Sequence, residues 1–143
     1  MTVIFSKKCE IGLQAVLFLS TQETGTLFNA FEVSQKVKQP KEFVSKVLQI
    51  LTKSGIVGSR KGKNGGFFLA KPPKDIRLIE IVTAIDGDSV FQNCVLGFPG
   101  CSDSKPCPVH STWGKIREES WNMLSNETLC DFRDKTRTKI DSL

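Results

Sequence analysis

The chain reads as a mainly α-helical fold carrying one small β-hairpin. Three observations predict it: helical apolar spacing recurs three times before Gly55, two short strand-like runs follow around a basic glycine turn, and a long helical pattern comes near the end. Ser6 can cap a first helix in which Cys9, Leu13, Val16 and Leu17 keep helical spacing up to the Gly25 turn. Asn29 with Glu32 forms the pattern of a capping box opening a short second helix through Ala30, Val33 and Val37. After Lys38-Gln39, Pro40 suits the first position of a third helix, with Phe43, Val44, Val47, Leu48 and Leu51 as its apolar stripe. Gly55 stops it.

The strand-like runs are Ile56–Arg60 and Gly66–Ala70, joined by Lys61-Gly62-Lys63-Asn64-Gly65, where Asn-Gly favours the positive backbone angles of a tight hairpin. A fourth helix is expected from about Leu78 to Ile85, ending at Gly87, and a long one from about Val109 to Ser125. The tail after Cys130 is polar and charged and is expected to be mobile. Three helices followed by a hairpin is the order of a winged helix-turn-helix. The expected units are therefore a winged DNA-binding domain over 1–86, a cysteine-bearing cofactor loop over 87–107, a dimerisation helix over 108–127 and a flexible tail over 128–143.

Charge agrees with a polyanion partner for the first part only. Residues 1–80 hold 13 Lys+Arg against 6 Asp+Glu, a net of +7, whereas residues 81–143 hold 7 against 9, a net of −2. On the polar face of the third helix, Lys41 and Lys46 can reach phosphates or guanine edges, and Glu42, Ser45 and Gln49 complete the set expected in a major groove. Arg60, Lys61, Lys63 and Asn64 form a basic hairpin finger for a neighbouring groove or backbone.

Cys94, Cys101, Cys107 and His110, the sole histidine, read C-x6-C-x5-C-x2-H. Soft donors at this density suit a metal ion or an iron–sulfur cluster, and the surrounding Gly and Pro residues place them on a loop. Lys7-Lys8 followed by Ile11–Leu19 imitates a signal peptide, but the run contains Gln14, lacks a cleavage site and is too short to span a membrane. A cytoplasmic, reducing setting is expected, in which clustered cysteines act as metal ligands more often than as disulfides. No membrane partner and no small-molecule substrate are expected. The long helix carries a stripe of Val109, Trp113, Ile116, Ser120 and Leu124, assigned to a homodimer interface that would match paired half-sites on DNA.

Together these residues resemble the IscR, NsrR and CymR family of bacterial winged-helix regulators, the Rrf-type regulators. The resemblance is carried by Phe5-Ser6, Ile11-Gly12-Leu13, Leu48 through Lys53-Ser54-Gly55-Ile56-Val57, Gly62 with Gly65-Gly66-Phe67, Ile81 to Asp86 with Gly87, and the three cysteines, spanning about residues 3–127. It implies a homodimer built on a long C-terminal helix, pseudo-palindromic promoter DNA as partner, and a 2Fe–2S or 4Fe–4S cluster on Cys94, Cys101 and Cys107. Two departures stand out: the first cysteine gap is one residue longer than the family's usual five, and Ser45 and Lys46 replace the acidic and amide pair of the best-known member. His110 is the expected fourth ligand; Glu10, from a position where some relatives donate a carboxylate across the dimer, and the adjoining Cys9 are its rivals. Zinc is the alternative metal, and a metal-free regulator acting through a protein partner is an alternative function. A thiol-redox enzyme using Cys101 or Cys107 is disfavoured, because no C-x2-C pair exists and no carboxylate evidently orients His110. Cys9 fits a buried core position, and Cys130 has no assignable partner.

Overall fold

The structure, a computed structural model, describes residues 4–143; the first three residues of the expected DNA-binding unit lie outside it. Its elements are helices α1 (Lys7–Ser20), α2 (Ala30–Val37), α3 (Lys41–Lys53), α4 (Leu78–Asp86), α5 (His110–Asn126) and α6 (Arg133–Asp141), with strands β1 (Val57–Arg60) and β2 (Gly66–Leu69). Local chemistry sets the helix starts. The Ser6 side chain accepts from the Cys9 N–H at 3.1 Å. Asn29 and Glu32 form the reciprocal box, with backbone-to-side-chain bonds of 3.0 and 2.8 Å. Pro40 is the cap residue of α3 rather than its first turn.

The core forms where α1 lies across α2, α3 and α4. Ile11, Ala15 and Val16 meet Val33, Val44, Val47, Leu48 and Leu51, with Ile56, Val57, Ile76 and Ile81 closing it. Gly12 lets α1 approach this closely, since a methyl group there would run into the side chains of Ile85 and Val47. Phe43 does not join its stripe. It is 48% exposed, because the α3 face that meets the core is centred on Val44, Val47, Leu48 and Leu51.

The hairpin pairs Val57 with Leu69 through Arg60 with Gly66, antiparallel. Phe28 adds a third, one-residue rung, exchanging backbone hydrogen bonds with Phe67 at 3.1 and 2.7 Å. The positive backbone angle of the turn falls on Gly62 (φ 104°), not on the Asn64-Gly65 pair. Gly65 is needed for another reason: a Cβ there would collide with the Arg60 carbonyl. Gly65→Ala is therefore expected to distort the wing at a cost of about 1–3 kcal/mol, lowering the melting temperature and operator affinity together.

The tail after Cys130 is folded. Leu129 is fully buried in the main core, its N–H bonds the Ile76 carbonyl at 2.8 Å, and α6 returns to the C-terminal end of α1. There Arg133 and Arg137 donate to the Ser20 and Thr21 carbonyls at 3.1 and 3.2 Å. They supply partners and positive charge where a helix end leaves carbonyls unpaired. The expected mobility came from composition, while the order comes from tertiary bonds made by charged side chains.

At the start of α4, burial works against the charge of Glu80, but hydrogen bonds from Lys71 (2.8 Å) and the Arg77 N–H (2.7 Å), with the charges of both residues, hold its carboxyl below the usual value. A depressed carboxylate contributes stability above its unfolded pKa that is lost as pH falls through the folded one. Thermal melts from neutral to acid pH should thus show a smaller acid-side drop in Glu80→Gln than in the parent.

Candidate DNA-binding face and cysteine centre

α3 turns Lys41, Glu42, Lys46 and Gln49 to solvent, with Ser45 partly covered; the Gln49 amide lies 3.4 Å from the Ser45 hydroxyl. Arg60, Lys61, Lys63 and Asn64 are all exposed at the wing. Helix and wing border one groove, to which α3 gives Gln49 and Lys53 and the wing gives Arg60, Lys61 and Lys63. Cations on two elements facing one groove suit a phosphate backbone running between them.

The cysteine loop connects α4 to α5 and contains only a 3₁₀ turn over Ser89–Phe91 as helix. Side chains hold the part of the loop next to α4 at two places. At the first, the Asp86 carboxylate accepts from the Ser6 N–H at 2.8 Å and from the Ser6 hydroxyl, tying the end of α4 to the start of α1. At the second, side chains from α5 reach back: the Trp113 indole donates to the Asn93 carbonyl at 3.0 Å and Arg117 to the Phe91 carbonyl at 3.2 Å. The rings of Phe91 and Trp121 meet edge to face at 5.0 Å.

Within this frame the sulfurs of Cys94, Cys101 and Cys107 lie within 4.8 Å of one another, and those of Cys94 and Cys107 are 3.5 Å apart. Burial raises the Cys94 thiol, yet the Phe98 and Leu96 N–H groups and hydrogen bonds from Cys107 and Cys101 outweigh it and bring it to about 7. A thiolate, the ligating form, is thus accessible at neutral pH. Cys107 is raised, by burial first and then by its two sulfur neighbours. His110 opens α5 with Nδ1 at 3.2 Å from the Cys101 sulfur and Nε2 at 2.9 Å from the Asp103 carboxylate. Asp103 corrects the reading that no carboxylate orients this imidazole. It lies on the same loop seven residues earlier, and only the fold of the loop brings the two together.

A family model for Rrf2, described as iron-dependent transcriptional regulators, matches residues 5–135. This chain belongs to the Rrf2 family. It is 30% identical over 132 residues to a protein of Aquifex aeolicus described as an HTH-type transcriptional regulator, covering 91% of both chains. An rrf2-like HTH-type regulator of Rhodobacter capsulatus is 26% identical over 141 residues, with 90% of this chain and 91% of that one covered. In fold the chain is similar to CymR, the global cysteine regulator of B. subtilis (TM-score 0.77, 20% identity, 94% and 98% covered), and to T. potens IscR (TM-score 0.71, 24% identity, 94% and 88% covered). The winged-helix architecture with a C-terminal helix is thereby shared with solved regulators, and no helix among the described residues is long and apolar enough to cross a membrane.

The donors of this Rrf2 chain fit a sulfur-bound metal. Three thiols and an imidazole backed by a carboxylate are soft ligands with the usual second partner for histidine. Two thiolates sharing one tetrahedral metal with bonds near 2.3 Å stand roughly 3.8 Å apart, close to the Cys94–Cys107 separation.

The rival ligands are placed differently. Cys9 is fully buried against Val82 and Leu124, its thiol pushed up to about 12 by burial and then by Asp86. Glu10 pairs with Lys7 at 3.7 Å on α1. The stripe assigned to a dimer interface divides. Leu124 is 3% exposed and packs with Cys9 and Val82 of its own chain, and Trp113 braces the cysteine loop. Val109 and Ser120 are half-buried, and Ile116 is exposed. Trp121, which the sequence places beside the stripe, is exposed, and Met123, 60% exposed, is apolar surface that the stripe left out. With Ser120 between them, Ile116 and Met123 follow i, i+4, i+7 spacing, and this was the signal available in the sequence.

Proposed function

We propose that this Rrf2-family regulator works as a homodimer whose affinity for promoter DNA follows the state of an iron–sulfur cluster held by Cys94, Cys101 and Cys107, with His110 as the fourth ligand. The observation that carries this reading is the convergence of three sulfurs on a loop whose stem is tied through Asp86 to the first turn of α1. In this reading Lys41, Glu42, Ser45, Lys46 and Gln49 face the major groove, and Arg60, Lys61, Lys63 and Asn64 grip the flanking backbone. The exposed face of α5 around Ile116 and Met123 meets its counterpart on a second copy.

A bound cluster supplies redox-sensitive metal–thiolate bonds joining three points of the loop. The chain does the rest. Asp86 passes the position of the loop stem to Ser6 and α1, and α1 packs directly on α3. Trp113 and Arg117 couple the same loop to α5. Asp103 holds Nε2 of His110 so that Nδ1 points at the sulfurs. An ordered loop therefore bears on the reading helix and on the long helix at once.

A zinc ion is the second reading, favoured by the gathering of all three sulfurs within 4.8 Å with His110 Nδ1 3.2 Å from Cys101, a Cys3His set that suits one tetrahedral ion. Anaerobic purification with a visible spectrum and iron, sulfide and zinc analysis separates the two. Brown protein with iron and sulfide supports the cluster; colourless protein with stoichiometric zinc replaces it. Cys101→Ser should lose the metal in either case. His110→Ala should yield a less stable centre with an altered spectrum, while Glu10→Ala leaves it unchanged; the opposite pattern would move the fourth ligand onto α1.

A further inference from the structure

A second cavity, lined by no residue of the cysteine loop, lies between α1, the turn joining α2 to α3, and α6. It measures about 500 Å³, within the range of small-molecule sites. Leu17, Val37, Phe132 and Ile140 give it apolar walls, and no aspartate or glutamate lines it. Its charged side chains are Lys38, Lys135 and Lys139, all exposed, and Leu143 also lines it. None of the three lysines makes an ion pair among the described residues. Three cationic side chains around an apolar recess focus their field on it and attract an anion.

We propose that this cavity binds an amphipathic carboxylate, an acid with an apolar chain or ring, whose tail fills the recess while Lys38, Lys135 and Lys139 hold its charged head. The site requires neither metal nor DNA, so it stands apart from the reading of the cysteine centre. Its position gives it a route to the operator. Lys38 is the one non-glycine residue with positive φ among the described residues (φ 55°, ψ 47°), and it caps α2 in the short turn, with Gln39 and Pro40, that leads to α3. A ligand held between Lys38 and α6 touches the residue that sets the turn of the helix-turn-helix. Any change in operator affinity that it causes must be matched by an equal change in its own affinity when DNA is bound.

Calorimetric titration of the full chain with decanoate, below its micelle threshold, tests the proposal against decanol as the uncharged control. Saturable binding of one decanoate per chain is expected, with decanol weaker by at least about tenfold. The double variant Lys135→Glu/Lys139→Glu should lose at least about tenfold in decanoate affinity, while Lys115→Glu, outside the cavity lining, should not. Leu17→Trp should block the recess, with helical circular dichroism retained. Absence of saturable binding would overturn the proposal, as would equal binding of decanol or full affinity in the double variant. If decanoate fails to bind and Leu17→Trp instead changes the mass measured by light scattering, a second copy covers this face and the proposal is wrong.

Discussion

Leu124→Glu is expected to unfold the junction between α5 and the winged domain, whereas Ile116→Glu combined with Met123→Glu should leave the chain folded and make it monomeric. Leu124 lies against Cys9 and Val82, with Phe5, Leu13, Leu78 and Ile85 around them. The cluster around it is apolar, so removing the leucine and burying the acid together cost about 3 kcal/mol or more. That is a large part of the stability of a domain this size. The melting temperature of Leu124→Glu should fall steeply. Ile116 and Met123 are 43% and 60% exposed, so charges there stay hydrated in the isolated chain and act only when a second copy approaches. Light scattering should then report the monomer mass with unchanged circular dichroism, and binding to a two-half-site operator should fall to that of single half-sites. A folded dimer from the double variant would place the interface elsewhere.

Lys61→Ala with Lys63→Ala should weaken binding to specific and random duplexes alike and reduce the salt dependence by roughly two units of log–log slope, about one for each phosphate that is no longer neutralised. Both lysines are exposed on the wing, and the chain offers Arg60 and Lys53 on the same groove, so residual affinity should remain. Ser45→Ala and Gln49→Ala carry no charge and should leave the slope unchanged while altering which bases are preferred, by about 1–3 kcal/mol per position for a good base pairing. Binding titrations at several salt concentrations on two unrelated duplexes separate the two behaviours. Equal losses on both duplexes from all four substitutions would remove α3 from the reading role.

The elements themselves were legible in order. Ser6, the Asn29–Glu32 box, Gly55 and the apolar spacing of α3 are local signals, each acting within a few residues, and the structure keeps them apart from Phe43 in the α3 stripe. The three cysteines were legible as a group because residues that converge on one loop also have a short sequence span. What the sequence left open depends on residues far apart in the chain. Whether an apolar side chain on α5 faces its own core or a partner is not a property of α5. Leu124 and Met123 are neighbours of similar hydrophobicity, and only the position of α4 and α1 buries one and exposes the other. Phe43 likewise belongs to the apolar stripe by spacing but lies at the margin of the face that α1 covers.

The partnerships of charge follow the same division. Residue type and spacing by themselves determined a winged helix with basic reading surfaces and a soft-donor loop, because helix caps, glycine turns and clustered thiols act over short stretches of chain. Tertiary structure alone decided that Asp103 orients His110, that Asp86 ties the cysteine loop to Ser6 eighty residues earlier, and that Arg133 and Arg137 secure a tail whose composition predicts disorder. A hydrogen bond needs its two atoms within about 3 Å, and no periodicity in a sequence encodes which distant donor the fold will carry there.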